Sequence, residues 1–543
     1  MSTCITCQQN FEISESEANF HAKIGVPAPR ECPDCRLQRR TAFRNEQKFY
    51  KRECDFSKKN IISLYSPDKP YKIYEIPHWF SDHWDPMEYA QEFDFARPFF
   101  EQFRELSMAV PKPNLTQVSN ENSPYTTGTG YCKNCYLINS SEYCEDCYYG
   151  KLLQSSKNIV DSADVYDSEL LYECFNVRKC YNCVQVYNSQ NSSDCFFCDS
   201  VNGCKNCFLC TNLSQKEYYF LNKPLSKEEY RKKVAEFHGY NAYQKALEVL
   251  TKMRREKIVK YANILASENC SGDFIRNSKN CNDCYDVNDS EDCKYVHVGV
   301  QAKDLLDCSN MYIRPELSYQ VMGVIETYNV HFSFYVFHSH DVWYSEHCHN
   351  CKNLFGCAGL RNKEYCIFNK QYSKEEYLEL LPQIIEHMKK NGEWGEFFPM
   401  NIAPFAYNET LAYEYFPLTL AEVRAKNWEW HEEDTRDYLA QSYVIPNEIS
   451  ETPESITSEI LACEKCQRNY RIIEAEFNFY QQLQVPIPHK CPECRHYERM
   501  SLRNPRKLWA RVCENCKKGL QSTYAPERSE KIYCEECYTK EVF

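Results

Sequence analysis

From Cys132 onward a five-residue signature returns every 12 residues, and so short a period leaves few folds open. It runs Cys132-Lys-Asn-Cys135-Tyr136, Cys144-Glu-Asp-Cys147-Tyr148, Ser156-Lys-Asn-Ile159-Val160 and Ser168-Glu-Leu-Leu171-Tyr172. It continues as Cys180-Tyr-Asn-Cys183-Val184, Ser192-Ser-Asp-Cys195-Phe196, Cys204-Lys-Asn-Cys207-Phe208 and Lys216-Glu-Tyr-Tyr219-Phe220. Fixed columns at this spacing predict stacked coils, a β-solenoid. The second position alternates in charge through Lys133, Glu145, Lys157 and Glu169, and later Lys205 and Glu217. One repeat per coil sets opposite charges on neighbouring rungs about 4.8 Å apart, whereas two would stack Lys on Lys. We therefore expect one repeat per coil, around an interior narrow enough to need Cys and Ser.

The array occurs twice. Cys204-Lys-Asn-Cys207-Phe208 matches Cys351-Lys-Asn-Leu354-Phe355 at an offset of 147, and Cys281-Asn-Asp-Cys284-Tyr285 aligns with the Cys132 signature at 149, as if two residues were lost between. Each array ends in a capping box, Ser226-x-x-Glu229 and Ser373-x-x-Glu376, which predicts a helix. The first should run to about Ala266 with a break at Gly239, and the second meets Pro382. An aromatic stretch (Trp394 to Phe416), a short helix capped by Thr419-x-x-Glu422 and an acidic linker near 445–460 follow.

The two ends are copies of one module. Residues 4–84 align with 463–543 without a gap, at an offset of 459. In each copy the first half reads C-x2-C, 24 residues, C-x2-C: Cys4, Cys7, Cys32 and Cys35, then Cys463, Cys466, Cys491 and Cys494. Each C-x2-C forms a tight knuckle offering two sulfurs, and two knuckles make a tetrahedral thiolate cage for zinc, with iron the alternative in the same cage. The second half of the C-terminal copy adds a further quartet, Cys513, Cys516, Cys534 and Cys537. Its N-terminal counterpart holds Cys54, Ser57, Glu75 and His78, expected to be without metal, or else to form a weak or catalytic Cys/Glu/His site. The sequence thus predicts three Zn2+ sites.

The first half of the module resembles the probable zinc-ribbon family, whose pattern is C-x2-C, an aromatic-rich stretch and R-C-P-x-C-R. Phe20 with Arg30-Glu-Cys32-Pro33-Asp-Cys35-Arg36, and Phe479-Tyr480 with Cys491-Pro492-Glu-Cys494-Arg495, carry the resemblance. The whole layout is similar to bacterial zinc-ribbon/cysteine-rich repeat proteins of reduced genomes, a family without an established activity. The resemblance implies metal binding and nothing more.

The expected architecture is multi-domain and mainly β, with zinc ribbons at both termini flanking two β-solenoid arrays with helical inserts. Its segments are an N-terminal module (1–84), an aromatic-rich connector (85–129), array A (130–225), a helical segment (226–268), array B (269–372), a helical and aromatic segment with the acidic linker (373–460), and the C-terminal double ribbon (461–543). No run of about 18 apolar residues could span a bilayer and no secretory signal opens the chain, so many cysteines read as reduced thiols in a cytoplasmic protein.

Net charge is −13, yet residues 28–52 carry +5 and residues 487–518 carry +6. Arg36, Arg39, Arg40 and Arg44, with Arg495, Arg499 and Arg503, follow the second knuckles directly, which suggests a grip on a polyanion. The expected function is a zinc-binding scaffold whose basic ends bind nucleic acid, RNA first, or protein. The alternative is an enzyme. His331, His338, His340, His347 and His349 fall within 19 residues, so His338, His340, His347 and His349 are candidates for a further metal or acid–base site. Array cysteines could instead carry an iron–sulfur cluster, but Cys174, Cys183, Cys195 and Cys207 correspond to Val321, Val330, Val342 and Leu354 in the second array. Apolar replacement is what a core position tolerates and a ligand does not. No P-loop, GxSxG or dinucleotide fingerprint appears.

Overall fold

The computed structural model describes residues 1–432 and 438–542. Residues 433–437, within the expected 373–460 segment, and residue 543, ending the expected 461–543 module, lie outside the described residues. The chain is multi-domain and strand-rich, with cysteine quartets near both termini. It divides into two compact units. One comprises Met1–Leu115, Ala262–Glu432 and Arg506–Leu508; the other comprises Thr116–Tyr261, Glu433–Pro505 and Trp509–Phe543. The N-terminal module thus shares a unit with the second array, and the C-terminal module shares one with the first. We call these unit 1 and unit 2.

In unit 2 the array strands pair in parallel, and the register advances by 12 residues. Glu145 pairs with Lys157, Lys157 with Glu169, and Cys183 with Cys195, which pairs in turn with Cys207. Lys157 therefore stands between two glutamates, the neighbour relation that the alternating column required. Every third residue (Tyr131, Asn134, Leu137, Ser140, Tyr143) has φ between 50° and 53°. Asn and Asp reach this left-handed region at lower cost than other side-chain-bearing residues, so the Asn/Asp column of the signature (Asn134, Asp146, Asn158) consists of bends. Between bends one residue points inward, and Cys132, Cys135, Ile138 and Ser141 are all buried. The buried thiols and hydroxyls answer the backbone. Cys195 donates to the carbonyl of Ser193 at 3.3 Å, and Ser168 Oγ accepts the N–H of Cys180 at 3.0 Å.

Unit 1 repeats this ladder with one 13-residue step, Lys303 pairing with Glu316. Its register corrects the alignment of the two arrays. Lys279 lies between Glu268 and Glu291 as Lys133 lies between Glu121 and Glu145, so the offset upstream of that step is 146 and not 149. Cys281 therefore matches Cys135, one bend later than expected. Because inward positions recur every three residues, a C-x2-C pair can be set on any two successive sides, and the sequence match slipped by three. With the register restored, the outward column reads Glu121, Lys133, Glu145, Lys157, Glu169, Tyr181, Ser193, Lys205, Glu217 in one array. In the other it reads Glu268, Lys279, Glu291, Lys303, Glu316, Tyr328, His340, Lys352, Glu364.

The capping boxes at Ser226 and Ser373 form and start helices Lys227–Val234 and Lys374–Lys390. Gly239, at φ 73°, begins a separate helix Gly239–Glu256, which stops ten residues short of Ala266 because the chain turns into strand Ile258–Lys260, paired with Lys531–Tyr533. Pro382 lies inside its helix without ending it, and Leu378, whose carbonyl loses its partner, is 57 % exposed to water. Unit 1 closes over an aromatic core that includes Phe43, Trp79, Phe99, Tyr344 and Phe398. In unit 2, helix Glu474–Leu483 packs Phe477, Phe479 and Tyr480 into the cluster that holds Tyr148, Tyr172 and Val184 of the array.

Since Cys183 and Cys195 are fully buried in an apolar interior, C183V and C195V should each cost under about 1.5 kcal/mol and leave the metal content unchanged. Urea denaturation with metal analysis checks this; loss of a metal ion from either variant would make that thiol a ligand.

Candidate metal centres

Three groups of four sulfurs come together: Cys4, Cys7, Cys32 and Cys35; Cys463, Cys466, Cys491 and Cys494; Cys513, Cys516, Cys534 and Cys537. Within each group every sulfur lies within 4.8 Å of every other, close enough for one ion to touch all four. The backbone explains the convergence. In each first knuckle the leading Cys donates its N–H to a carbonyl five residues on and accepts one from four on, around a left-handed residue (Gln8, Gln467, Lys517). The second knuckle is a helix start. Cys32 and Cys491 are the N-cap residues of Pro33–Thr41 and Pro492–Met500, with Pro at the first helical position and Cys35 or Cys494 in the first turn.

The electrostatics call for a cation. Hydrogen bonding from Cys35 brings the Cys32 thiol down to about 5, while the same contact and burial push Cys35 far up. Burial works to raise Cys513, but backbone N–H groups of Cys516, Cys534 and Asn515 bring it to about 6, and burial pushes Cys537 up to about 12. One thiolate per quartet is favoured; four are stable only with a metal ion to balance them.

The fourth knuckle keeps its shape without its ligands. Cys54 makes the same backbone bonds to Lys58 and Lys59, and its sulfur accepts the N–H groups of Ser57 at 3.4 Å and Glu75 at 3.3 Å. His78 turns to Glu75 (3.3 Å) and packs on Phe56. Cys54, Glu75 and His78 are not among the groups that gather within metal reach in the described residues.

The histidine candidates do not converge either. His338 and His340 hold separate carboxylates, Glu326 and Asp341, each at 2.9 Å. His347 stacks on Tyr335 with centroids 4.9 Å apart, and His349 packs edge-on to Trp79 and Phe80. Among the described residues, only the three cysteine quartets meet the distance test, and no array cysteine belongs to one.

The arginines expected on a polyanion-binding surface are inside the protein, which corrects that assignment. Arg36, 1 % exposed, pairs with Asp307 at 2.8 Å, and Arg40 reaches Ser309 beside it. Arg44 pairs with Glu46 at 2.6 Å, and Arg39 with Glu31 and Glu396. In unit 2, Arg495 and Arg499 share Asp161 at 2.6 and 2.8 Å, and Arg503 takes Asp164 at 2.8 Å. The reason is geometric: spaced by four, these residues descend one face of the knuckle helix, and that face lies on the array. The missed partners are Asp161, Asp164 and Asp307. Their signal was the acidic body between two basic ends, which is complementarity within the chain. A second pinning pair also escaped the sequence reading: Lys112 with Glu346 at 2.6 Å in unit 1, and Lys257 with Asp199 at the corresponding place in unit 2.

Set against protein-family models the chain matches none, and a comparison with curated proteins returns no match. Among the described residues, no helix is long and apolar enough to cross a membrane.

Removing Arg495 strands Asp161 and Glu476 in the interior, so R495M should destabilise unit 2 by about 3–5 kcal/mol. The exposed pair Lys157–Glu145 sets the contrast, with K157M costing about 1 kcal/mol or less. Equal losses in denaturant titrations would mean that the buried pair is not what joins module to array.

Proposed function

We propose that this protein is a zinc-dependent scaffold for a protein partner, in which each terminal zinc ribbon locks onto a β-solenoid built from one of the two 12-residue arrays. The observation that supports it best is the direction of the arginines. The helix that starts at a metal knuckle sends its guanidinium groups into the array beneath, so metal, helix and array form one rigid body. Four thiolates in two knuckles favour zinc over harder ions. The cysteines are all free thiols, in keeping with a reducing, cytoplasmic setting. A protein partner is favoured over RNA because the basic groups first assigned to phosphate are neutralised internally, and the outward column alternates Glu with Lys instead of presenting a positive stripe.

Protein purified anaerobically should be colourless and carry three zinc ions per chain. C491S should lose one of them and expose the C-terminal module to protease, since thiolate–zinc binding in small ribbons is worth about 10–16 kcal/mol. A brown solution or a fourth metal would point to the enzyme alternative. RNA affinity should be weak at 50 mM salt; tight binding that collapses by 200 mM would restore the polyanion reading.

A further inference from the structure

Unit 1 hides imidazoles where unit 2 does not. His21, His297, His331 and His347 are between 0 % and 6 % exposed, and all four belong to unit 1. Neither nitrogen of His21 has a hydrogen-bond partner among the described residues, nor does Nδ1 of His297 or of His331. The three histidines of unit 2, His238, His489 and His496, are all partly exposed. The duplication supplies an internal comparison. His21 corresponds to Tyr480, His331 to Val184 and His347 to Ser200, none of which gains charge in mild acid. We propose that unit 1 is an acid-responsive half of the molecule, held folded by neutral buried imidazoles and opened by their protonation under conditions that unit 2 survives.

The surroundings favour the neutral rings. His21 lies edge-on to Tyr319 with centroids 4.9 Å apart. Arg36 opposes its protonation, Asp307 and Glu17 favour it, and burial outweighs both to lower its pKa. His297 faces Arg506 and Arg40, both cationic, with Tyr285 against its ring. His347 faces Lys112 and His349, and stacks on Tyr335. His331 lies 4.2 Å from the Trp343 ring and has Asp341 as its one charged neighbour; burial brings it down to about 3. In every case burial is the largest cause.

A histidine whose folded pKa is depressed binds fewer protons folded than unfolded. Its contribution to stability is complete above the unfolded value of about 6.5 and drains away as pH falls below it. Each such group multiplies the unfolding constant by up to about tenfold per pH unit in that range. Carboxylates held low by partners, such as Glu17 by Lys294 and Asp199 by Lys257 and Arg254, release their contribution only below about pH 4.5, leaving a window that belongs to histidine.

The units can be followed separately. Six of the seven tryptophans (Trp79, Trp84, Trp343, Trp394, Trp428, Trp430) lie in unit 1, so W509F makes the fluorescence specific to it. Buried thiols report on both, read peptide by peptide after a pulse of 4,4′-dithiodipyridine, which reacts in acid. On lowering the pH of the zinc-loaded full chain from 7.5 to 4.5 with zinc in excess, Cys308, Cys348 and Cys357 should become reactive below about pH 6 while Cys183, Cys195 and Cys207 stay protected. H331V and H21Y, tested singly, should each flatten the pH dependence of log unfolding constant by about one proton and move the midpoint to lower pH. Loss of zinc alone would strike unit 2, with two quartets, at least as hard. Simultaneous labelling of both arrays, protection of both down to pH 4.5, or an unmoved midpoint in both variants would overturn the proposal.

Discussion

The structure depends on guanidinium groups taken out of water at the base of each zinc-ribbon module. Burying a charge costs several kcal/mol, and a buried ion pair is seldom more stable than well-packed apolar residues. What such a pair supplies is a definite seat. Arg36 against Asp307 and Arg495 against Asp161 admit one docking of helix on array, because a slip by one residue would strand four charges in the interior. The metal knuckle matters here for position more than for energy. It holds the first turn of a nine-residue helix, far too short to persist alone, so that the arginines beyond it arrive in line.

Duplication followed by divergence shows which features this arrangement needs. The sulfur quartet of the first half, the Arg–carboxylate contact and the buried lysine pair occur in both units. The second-half quartet does not: in unit 1 it has become Cys54, Ser57, Glu75 and His78, with the knuckle backbone intact. Trp79, fully buried one residue after His78, and Trp84 join the large aromatic core there. Apolar packing thus holds in unit 1 what an ion would hold in unit 2. The same substitution of packing for polarity brought histidines under aromatic rings in unit 1, where the other copy has Tyr480 and Val184.

The 12-residue period was legible because each column of the sequence maps onto one direction in space, and alternating charge at one column settled the rung spacing. The three-residue slip at Cys281 has the same origin. Successive sides of a coil look alike locally, and only the pairing of Lys279 between Glu268 and Glu291 tells them apart. Metal quartets were legible because their ligands are near in sequence and chemically unusual. The arginines were not, since Asp307 lies 271 residues from Arg36 and Asp161 lies 334 from Arg495. A run of basic residues reads alike whether its counter-charge is a phosphate or an aspartate elsewhere in the chain.

That separation bears on how the molecule assembles. Array rungs pair residues 12 apart, contacts whose closure is quick, whereas each module must find an array hundreds of residues away. The entropy of closing so long a loop grows only logarithmically, so the delay lies in waiting for the partner to exist as a folded surface. The N-terminal module is made first, yet its array is the second to be synthesised. Array A, folded earlier, presents Asp161 and Asp164 while only the N-terminal arginines are available. The two modules carry arginines at corresponding places, so charge alone cannot sort them. Shape can: Asp161 is shared by two guanidiniums and sits beside Tyr149 and Tyr172, which receive Tyr480, whereas the N-terminal module carries His21 at that position and fits it against Tyr319. Divergence of the aromatic residues around the shared ion pairs therefore separates correct from incorrect docking.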